Sequence, residues 1–162
     1  MTARIKAIAM DVDGVLTDDT VWLDRHGDET KRLSFLDIMG IALGRRAGLE
    51  FALISGEGGP LLEQLAAKLH IIDVYGDCKD KAAALRDFAA RHALGLQEVC
   101  FIGDDVNDVE ALGSCGLGVA PASAHRSAAA AATLVTERPG GAGAVREVVD
   151  RLLDESAAGR TA

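Results

Sequence analysis

Positive charge is what this chain has least of. Seventeen Lys and Arg stand against 25 Asp and Glu, a formal net charge of -8, and a surface of that sign does not suit nucleic acid or an anionic membrane. An anionic small molecule stays open, because a bound divalent cation inverts the local sign. Cysteine is scarce too. Cys78, Cys100 and Cys115 are odd in number, scattered and without metal-ligand spacing, so they read as small buried thiols in a reduced cytosol. His26, His70, His92 and His125 are equally dispersed. No apolar run approaches the ~18 residues of a transmembrane helix, and the first residues reach paired carboxylates without a signal-peptide layout. These absences lead us to expect a cytoplasmic protein without nucleic-acid or membrane partners. What the chain does have is 49% apolar and 26% charged residues over 162 positions, enough for one globular domain with a sizeable core.

Two kinds of segment alternate along it. Short apolar or β-branched runs at residues 5–10, 50–54, 71–75, 99–102 and 117–119 end abruptly in Gly or a polar residue. Between them, residues 38–47, 61–69 and 81–92 carry apolar side chains at helical spacing. Nearly continuous apolar runs suit strands buried on both faces. The alternation predicts an α/β fold: a doubly wound, Rossmann-like, mostly parallel sheet with helices on both faces and ligands beyond the strands' carboxyl ends. Residues 17–35 break the rhythm. Thr20-Val21-Trp22-Leu23, the turn signal Asp24-Arg25-His26-Gly27-Asp28 and a second run predict an inserted β-hairpin. Alone, such a hairpin is marginal, so it is expected to pack on this domain or on another subunit. A Gly-rich loop at 138–143 leads into a final helix over about 144–155, with residues 157–162 expected to fray.

The chemistry-bearing residues cluster at the ends of the apolar runs. Asp11-Val12-Asp13-Gly14 follows residues 5–10; like charges there need a cation or donors to compensate, although Asp and Gly are also ordinary turn residues. Gly103-Asp104-Asp105-Val106-Asn107-Asp108 follows residues 99–102. Two acidic strand tips side by side suit Mg2+, which takes carboxylate oxygens, waters and a phosphate oxygen; in the plainer reading Asp105 caps a helix beginning near Val106. Ser55-Gly56 ends the run 50–54, where the hydroxyl and nearby backbone N–H groups face an anion at a helix start or simply end a strand. Lys81 opens a helix against its dipole, which sets it apart from Lys79, a solvated neighbour.

This order of motifs resembles the haloacid dehalogenase superfamily of phosphohydrolases, over residues 5–117. The resemblance implies Asp11 as nucleophile and Asp13 as general acid/base. It implies Ser55, Gly56 and Lys81 as phosphate-binding residues, Asp11, Asp13 and Asp104 as Mg2+ ligands, and Asp105 and Asp108 as their support. The implied reaction is magnesium-dependent phosphate-ester hydrolysis through an aspartyl-phosphate. Neither interval between motifs has room for a cap domain. The chain therefore looks like the capless branch typified by 3-deoxy-octulosonate 8-phosphate and 2-keto-3-deoxy-nonulosonate 9-phosphate phosphatases. The tail Arg138-Pro139-Gly140-Gly141-Ala142-Gly143 is similar to that branch's Gly-Gly-x-Gly motif.

In that branch the hairpins meet in a homotetramer and a neighbouring subunit closes each site. The resemblance therefore implies an interface at Trp22 and a tail, from about 138 to 162, covering an adjacent site. Deleting the chain from Arg138 onward is then expected to impair sugar-phosphate turnover more than that of a small artificial ester. Glu57 and Ala142 replace arginines usual in the octulosonate enzymes. The pattern Ile-Ser-Gly-Glu is closer to the nonulosonate type, so Glu57 and Arg138 are the candidate specificity residues and a phosphorylated sugar acid the expected substrate. Two alternatives stand: a phosphatase for another small phosphate ester, and a non-catalytic phospho-acceptor domain of receiver type. Against the latter, the acidic pair of receivers precedes the phosphorylated Asp, and a switch that keeps its phosphate has no use for Asp13.

Overall fold

The computed structural model describes residues 4–159. Six strands form one parallel sheet: β1 (Ala7–Met10), β4 (Glu50–Ile54), β5 (Asp73–Tyr75), β6 (Val99–Ile102), β7 (Leu117–Ala120) and β8 (Leu134–Val135). Their order is β5-β4-β1-β6-β7-β8. Separately, β2 (Trp22–Leu23) and β3 (Glu29–Thr30) pair antiparallel. The helices are α1 (Phe35–Arg46), α2 (Pro60–Leu69), α3 (Lys81–Arg91), α4 (Val109–Ser114), α5 (Arg126–Ala131) and α6 (Ala144–Ala158).

The period of two along the central strands sorts their side chains between two cores. Ile8, Met10, Leu53 and Ile102 pack with Ile41 of α1, Leu65 of α2 and Val148 of α6. Ala9, Ala52, Ile54 and Phe101 pack with Leu85 and Phe88 of α3, Leu112 of α4 and Ala128 of α5. Three helices thus cover each face, as a doubly wound sheet requires. Phe88 and Phe101 are fully buried, so truncating either to Ala costs roughly 3–5 kcal/mol. The chain leaves β1 for β4 and β5 on one side, then returns to β6 on the other. That reversal opens a crevice beyond the carboxyl ends of β1 and β6.

Two expectations need correction, and the tail's own contacts add a third finding. The run 71–75 is not all strand, since Ile71 N–H bonds back to the Ala66 carbonyl at 2.9 Å and Ile72 is 90% exposed, so the strand starts at Asp73. The sixth strand, β8, has only two residues, one half-buried and one exposed, and offered no period to read. The Gly-rich tail lies on its own chain. Gly141 N–H donates to the Val15 carbonyl at 2.9 Å, and a methyl group on Gly140 would run into the Gly14 carbonyl. Buried Asp37 of α1 accepts from the N–H groups of Gly143 and Arg146, both at 3.0 Å, which caps α6. Residues 138–158 therefore pack on this domain; removing them takes the buried Val145, Val148, Val149 and Leu152 from the core, so such a deletion is expected to cost the fold in addition to any effect on a neighbouring site. Ala157 and Ala158 complete α6, while 160–162 lie outside the described residues.

The hairpin turns at residues 24–28. There the Asp24 carboxylate accepts from His26 and Asp28 N–H at 2.7 and 3.0 Å, and Gly27 takes φ +83°, a value that favours glycine. Its outer side is bare: Trp22 is 75% exposed and Phe35, where α1 begins, 81%. Of the two expectations for the hairpin, packing of Trp22 on this domain is not met. The interval from Asp13 to Ser55 holds only the hairpin and α1, and that from Ser55 to Asp104 only α2, β5 and α3, so no cap is inserted.

Candidate active site

β1 ends at Met10, and Asp11 N–H still bonds to the Ile102 carbonyl of β6 at 2.9 Å, which places the Asp11 side chain at the crevice. Its Oδ1 accepts from Val12 N–H at 2.7 Å. Its Oδ2 lies 2.6 Å from Lys81 Nζ. The same ammonium reaches Asp108 Oδ1 at 2.7 Å, and Asp108 Oδ2 accepts from the N–H groups of Asp104 and Asp105 at 2.8 and 3.2 Å. Lys81 opens α3 with Asp80 as N-cap. Its cost against the helix dipole is offset by two carboxylates rather than by solvent.

Asp11, Asp104 and Asp108 offer oxygens that all lie within 4.8 Å of one another, and all three side chains are buried. Lys81 pairs with two of these carboxylates, Asp11 and Asp108, and the third, Asp104, stands beside them. Burial, then the neighbouring Asp108, push the Asp11 carboxyl up to about 7 in spite of Lys81. Burial, then Asp11 and Asp108, raise Asp104 to about 8. Desolvation acts to lower Lys81, but Asp11 and Asp108 outweigh it and hold the ammonium above its ordinary value. Asp104 Oδ1 is buried with no hydrogen-bond partner among the described residues. An orphaned oxygen and an uncompensated negative cluster fit a hard divalent cation. Gly14, at φ +80°, leaves the space that the Asp104 carboxylate occupies; a Cβ there would collide with it.

The other expected residues divide. Ser55 is buried beside this centre and its Oγ accepts from Glu57 N–H at 3.1 Å; since α2 begins only at Pro60, any backbone anion donors belong to the loop at 56–59. Gly56 and exposed Glu57 line the recess. Asp105 is exposed and caps the short helical turn after it through Val106 N–H, at 2.7 Å, so the capping reading holds for that residue. The Asp13 carboxylate, expected among the metal ligands, stays outside the three-carboxylate group and pairs instead with Lys31 at 2.8 Å. Arg138 lies away from the recess, its guanidinium turned to the Ala142 carbonyl at 3.4 Å.

The recess measures about 370 Å³, and the hairpin residues Asp19, Thr20, Val21, Glu29 and Lys31 form one of its walls. It continues into a second space of about 200 Å³ between the hairpin and α2, with Leu33, Leu61, Leu62 and Leu65 on its sides and Lys68 at its edge. Sequence reasoning missed Lys31 and Asn107, both of which line the main recess. Lys31 follows a two-residue strand in a stretch whose residues 21–30 are all exposed, and no local pattern in the sequence marked it. Asn107 sits in a helical turn and carried none.

Residues 53–147 match the model of a family described as haloacid dehalogenase-like hydrolase. The chain is 36% identical over 150 residues to the 3-deoxy-D-manno-octulosonate 8-phosphate phosphatases of Salmonella typhimurium and Escherichia coli K12, covering 93% of this chain and 80% of each of those. Among solved structures, the 3-deoxy-D-manno-octulosonate 8-phosphate phosphatase of Moraxella catarrhalis, in complex with magnesium, phosphate and KDO, superposes with a TM-score of 0.90. It is 31% identical, with 93% of this chain and 87% of that one covered. The cobalt-bound enzyme of Haemophilus influenzae gives 0.91 at 32% identity, covering 95% and 90%. A haloacid dehalogenase family hydrolase of Streptomyces avermitilis gives 0.89 at 37%, covering 94% and 87%.

Proposed function

The chain belongs to the haloacid dehalogenase-like hydrolases, and from that premise we propose that it is a magnesium-dependent phosphatase cleaving a phosphorylated sugar acid through an aspartyl-phosphate on Asp11. The observation that carries the reading is the buried Asp11–Lys81–Asp108 chain beside Asp104, whose Oδ1 has no partner. Asp11 and Asp104, with Asp108 beside them, are the residues that would hold the cation; bound there, it screens the approach of two anions and polarises a phosphate oxygen.

Asp11 Oδ attacks phosphorus as the ester P–O bond breaks. Lys81 and the Ser55 hydroxyl stand where charge develops on the equatorial oxygens, and the loop from Gly56 supplies N–H groups. Asp13 gives its proton to the leaving alkoxide, then takes one from the water that opens the acyl phosphate and frees Asp11. Asp108 orients Lys81 and ties the 104–105 backbone to it. A receiver-like switch has no place within this family.

The hairpin and its exposed Trp22 suit an interface, which supports the homotetramer with neighbouring subunits closing each site that the family resemblance implies. Residues 1–162 form one hydrolase domain in this reading, and the cytoplasm supplies the substrate; no helix among the described residues is long and apolar enough to cross a membrane. Glu57 at the rim is the candidate that sets the sugar: the Ile-Ser-Gly-Glu pattern is similar to that of the nonulosonate 9-phosphate type, and a carboxylate there accepts from sugar hydroxyls. The apolar sides of the second space favour one further candidate: a phosphate ester whose leaving group is partly apolar.

Phosphate release with Mg2+ from a panel of these esters, against an Asp11→Asn control, is the test. Turnover that needs both Mg2+ and Asp11, with a sugar acid phosphate preferred, is the expected result. Preference for a simpler or more apolar ester removes the sugar acid assignment.

A further inference from the structure

Asp13 must act twice, yet it stands on a loop just outside the rigid sheet. Its carboxylate is met from the hairpin: Lys31 Nζ lies 2.8 Å from Oδ1 and 3.0 Å from Oδ2, across 18 positions of sequence. The side chains of Lys31 and Asp13 are 13% and 29% exposed, so this pair is half-enclosed, unlike the fully solvated surface bridges that contribute little. Arg32, the next residue, is 63% exposed and pairs outward with Asp18. Within the loop, the other contact to the Asp13 carboxylate is the Thr17 hydroxyl, a long 3.4 Å from Oδ1. An acid/base group has to be held within about 0.5 Å and 10–20° of its working geometry by locked neighbours. Thr17 at that distance does not lock it; a lysine engaging both oxygens does.

We infer that Lys31 is a positioning residue that aims the Asp13 carboxylate at the leaving-group oxygen, and that the proton transfers therefore depend on where the hairpin lies. This rests on Asp13 serving as acid and base in the proposed reaction. The two half-reactions respond differently to its loss of aim. When a sugar ester reacts, the P–O bond breaks toward an alkoxide that needs the Asp13 proton. When 4-nitrophenyl phosphate reacts, nitrophenolate leaves with the electron pair and needs none. Water attack on the aspartyl-phosphate needs Asp13 as base in both cases.

Lys31→Met is accordingly expected to lose about 100-fold in kcat on the sugar ester. On 4-nitrophenyl phosphate it is expected to release a burst of about one nitrophenolate per subunit, followed by a slow steady rate as phosphoenzyme accumulates. Lys31→Arg keeps the charge and is expected to turn over steadily with no burst. Equal losses on the two esters without a burst would overturn the inference, as would a raised KM with kcat retained, which marks a lysine that contacts substrate. The urea midpoint identifies a variant that has merely unfolded, and Lys31→Gln then takes the place of the methionine. If wild type hydrolyses the nitrophenyl ester but no sugar acid phosphate, the substrate reading falls while the burst still decides the role of Lys31.

Discussion

Asp11 and Asp104 follow strands that are each paired on both sides, β1 between β4 and β6 and β6 between β1 and β7, whereas Lys31 follows a two-residue strand whose sole partner is the other half of its hairpin. The floor of the recess is thus positioned by backbone register and buried packing. The wall opposite is positioned by a turn, one enclosed ion pair and an apolar side still exposed at Trp22. In the proposed reaction the groups that meet phosphorus follow the central strands, and the group that serves the leaving alkoxide is tied to the hairpin. Stability and chemistry separate along the same line.

The sharpest way to break the floor is Asp11→Asn, expected to abolish turnover by roughly 10⁴-fold or more while the protein still folds; phosphate release and a circular dichroism melt report the two separately. Next is Lys81→Met. With the Lys81 side chain 2% exposed between Asp11 and Asp108, removing it leaves uncompensated buried charge and is expected to cost about 3–5 kcal/mol, read from urea unfolding at pH 8. Lowering the pH to 5 is expected to return part of that loss by protonating the carboxylates.

A gentler probe of the floor is its response to pH. Asp11 is raised to about 7 and Asp104 to about 8, each from an ordinary 3.8. Between pH 4 and 8 the folded metal-free protein therefore keeps protons that the unfolded chain has released, so its stability falls as pH rises through that window. Mg2+ binds the ionised form. The rise in melting temperature on adding Mg2+ is expected to be larger at pH 8 than at pH 5, and an equal rise at both would remove these carboxylates from the metal site. The wall gives the smallest effect on the fold. Trp22→Ala is expected to shift the urea midpoint of dilute protein by less than about 0.5 kcal/mol, yet to reduce the sedimenting mass if this face joins subunits.

Much of the floor was legible because an acidic residue after an apolar run is a local pattern. Asp11, Ser55 and Asp104 each mark the end of a strand in the parallel sheet, and Lys81 stood out because a cation at a helix start conflicts with the dipole. The tail's contacts with its own domain were not legible. Glycines at 140, 141 and 143 suggest freedom, but here they allow a close approach to Gly14, Val15 and Asp37, contacts with no signature in a single chain. Asp13 was recognised while its partner was not, because a separation of 18 positions carries no rule for which lysine returns.

The order of the acidic, hydroxyl and basic motifs, set by strand-ending runs and their spacing, was determined by the sequence alone, since each depends on neighbours within a few residues. Which carboxylates converge within 4.8 Å, which carboxylate oxygen is left without a partner among the described residues and which lysine grips Asp13 were decided only by the tertiary structure. Those relations arise from strand order and from a hairpin folding back across the crevice, and both join residues that local propensity cannot connect.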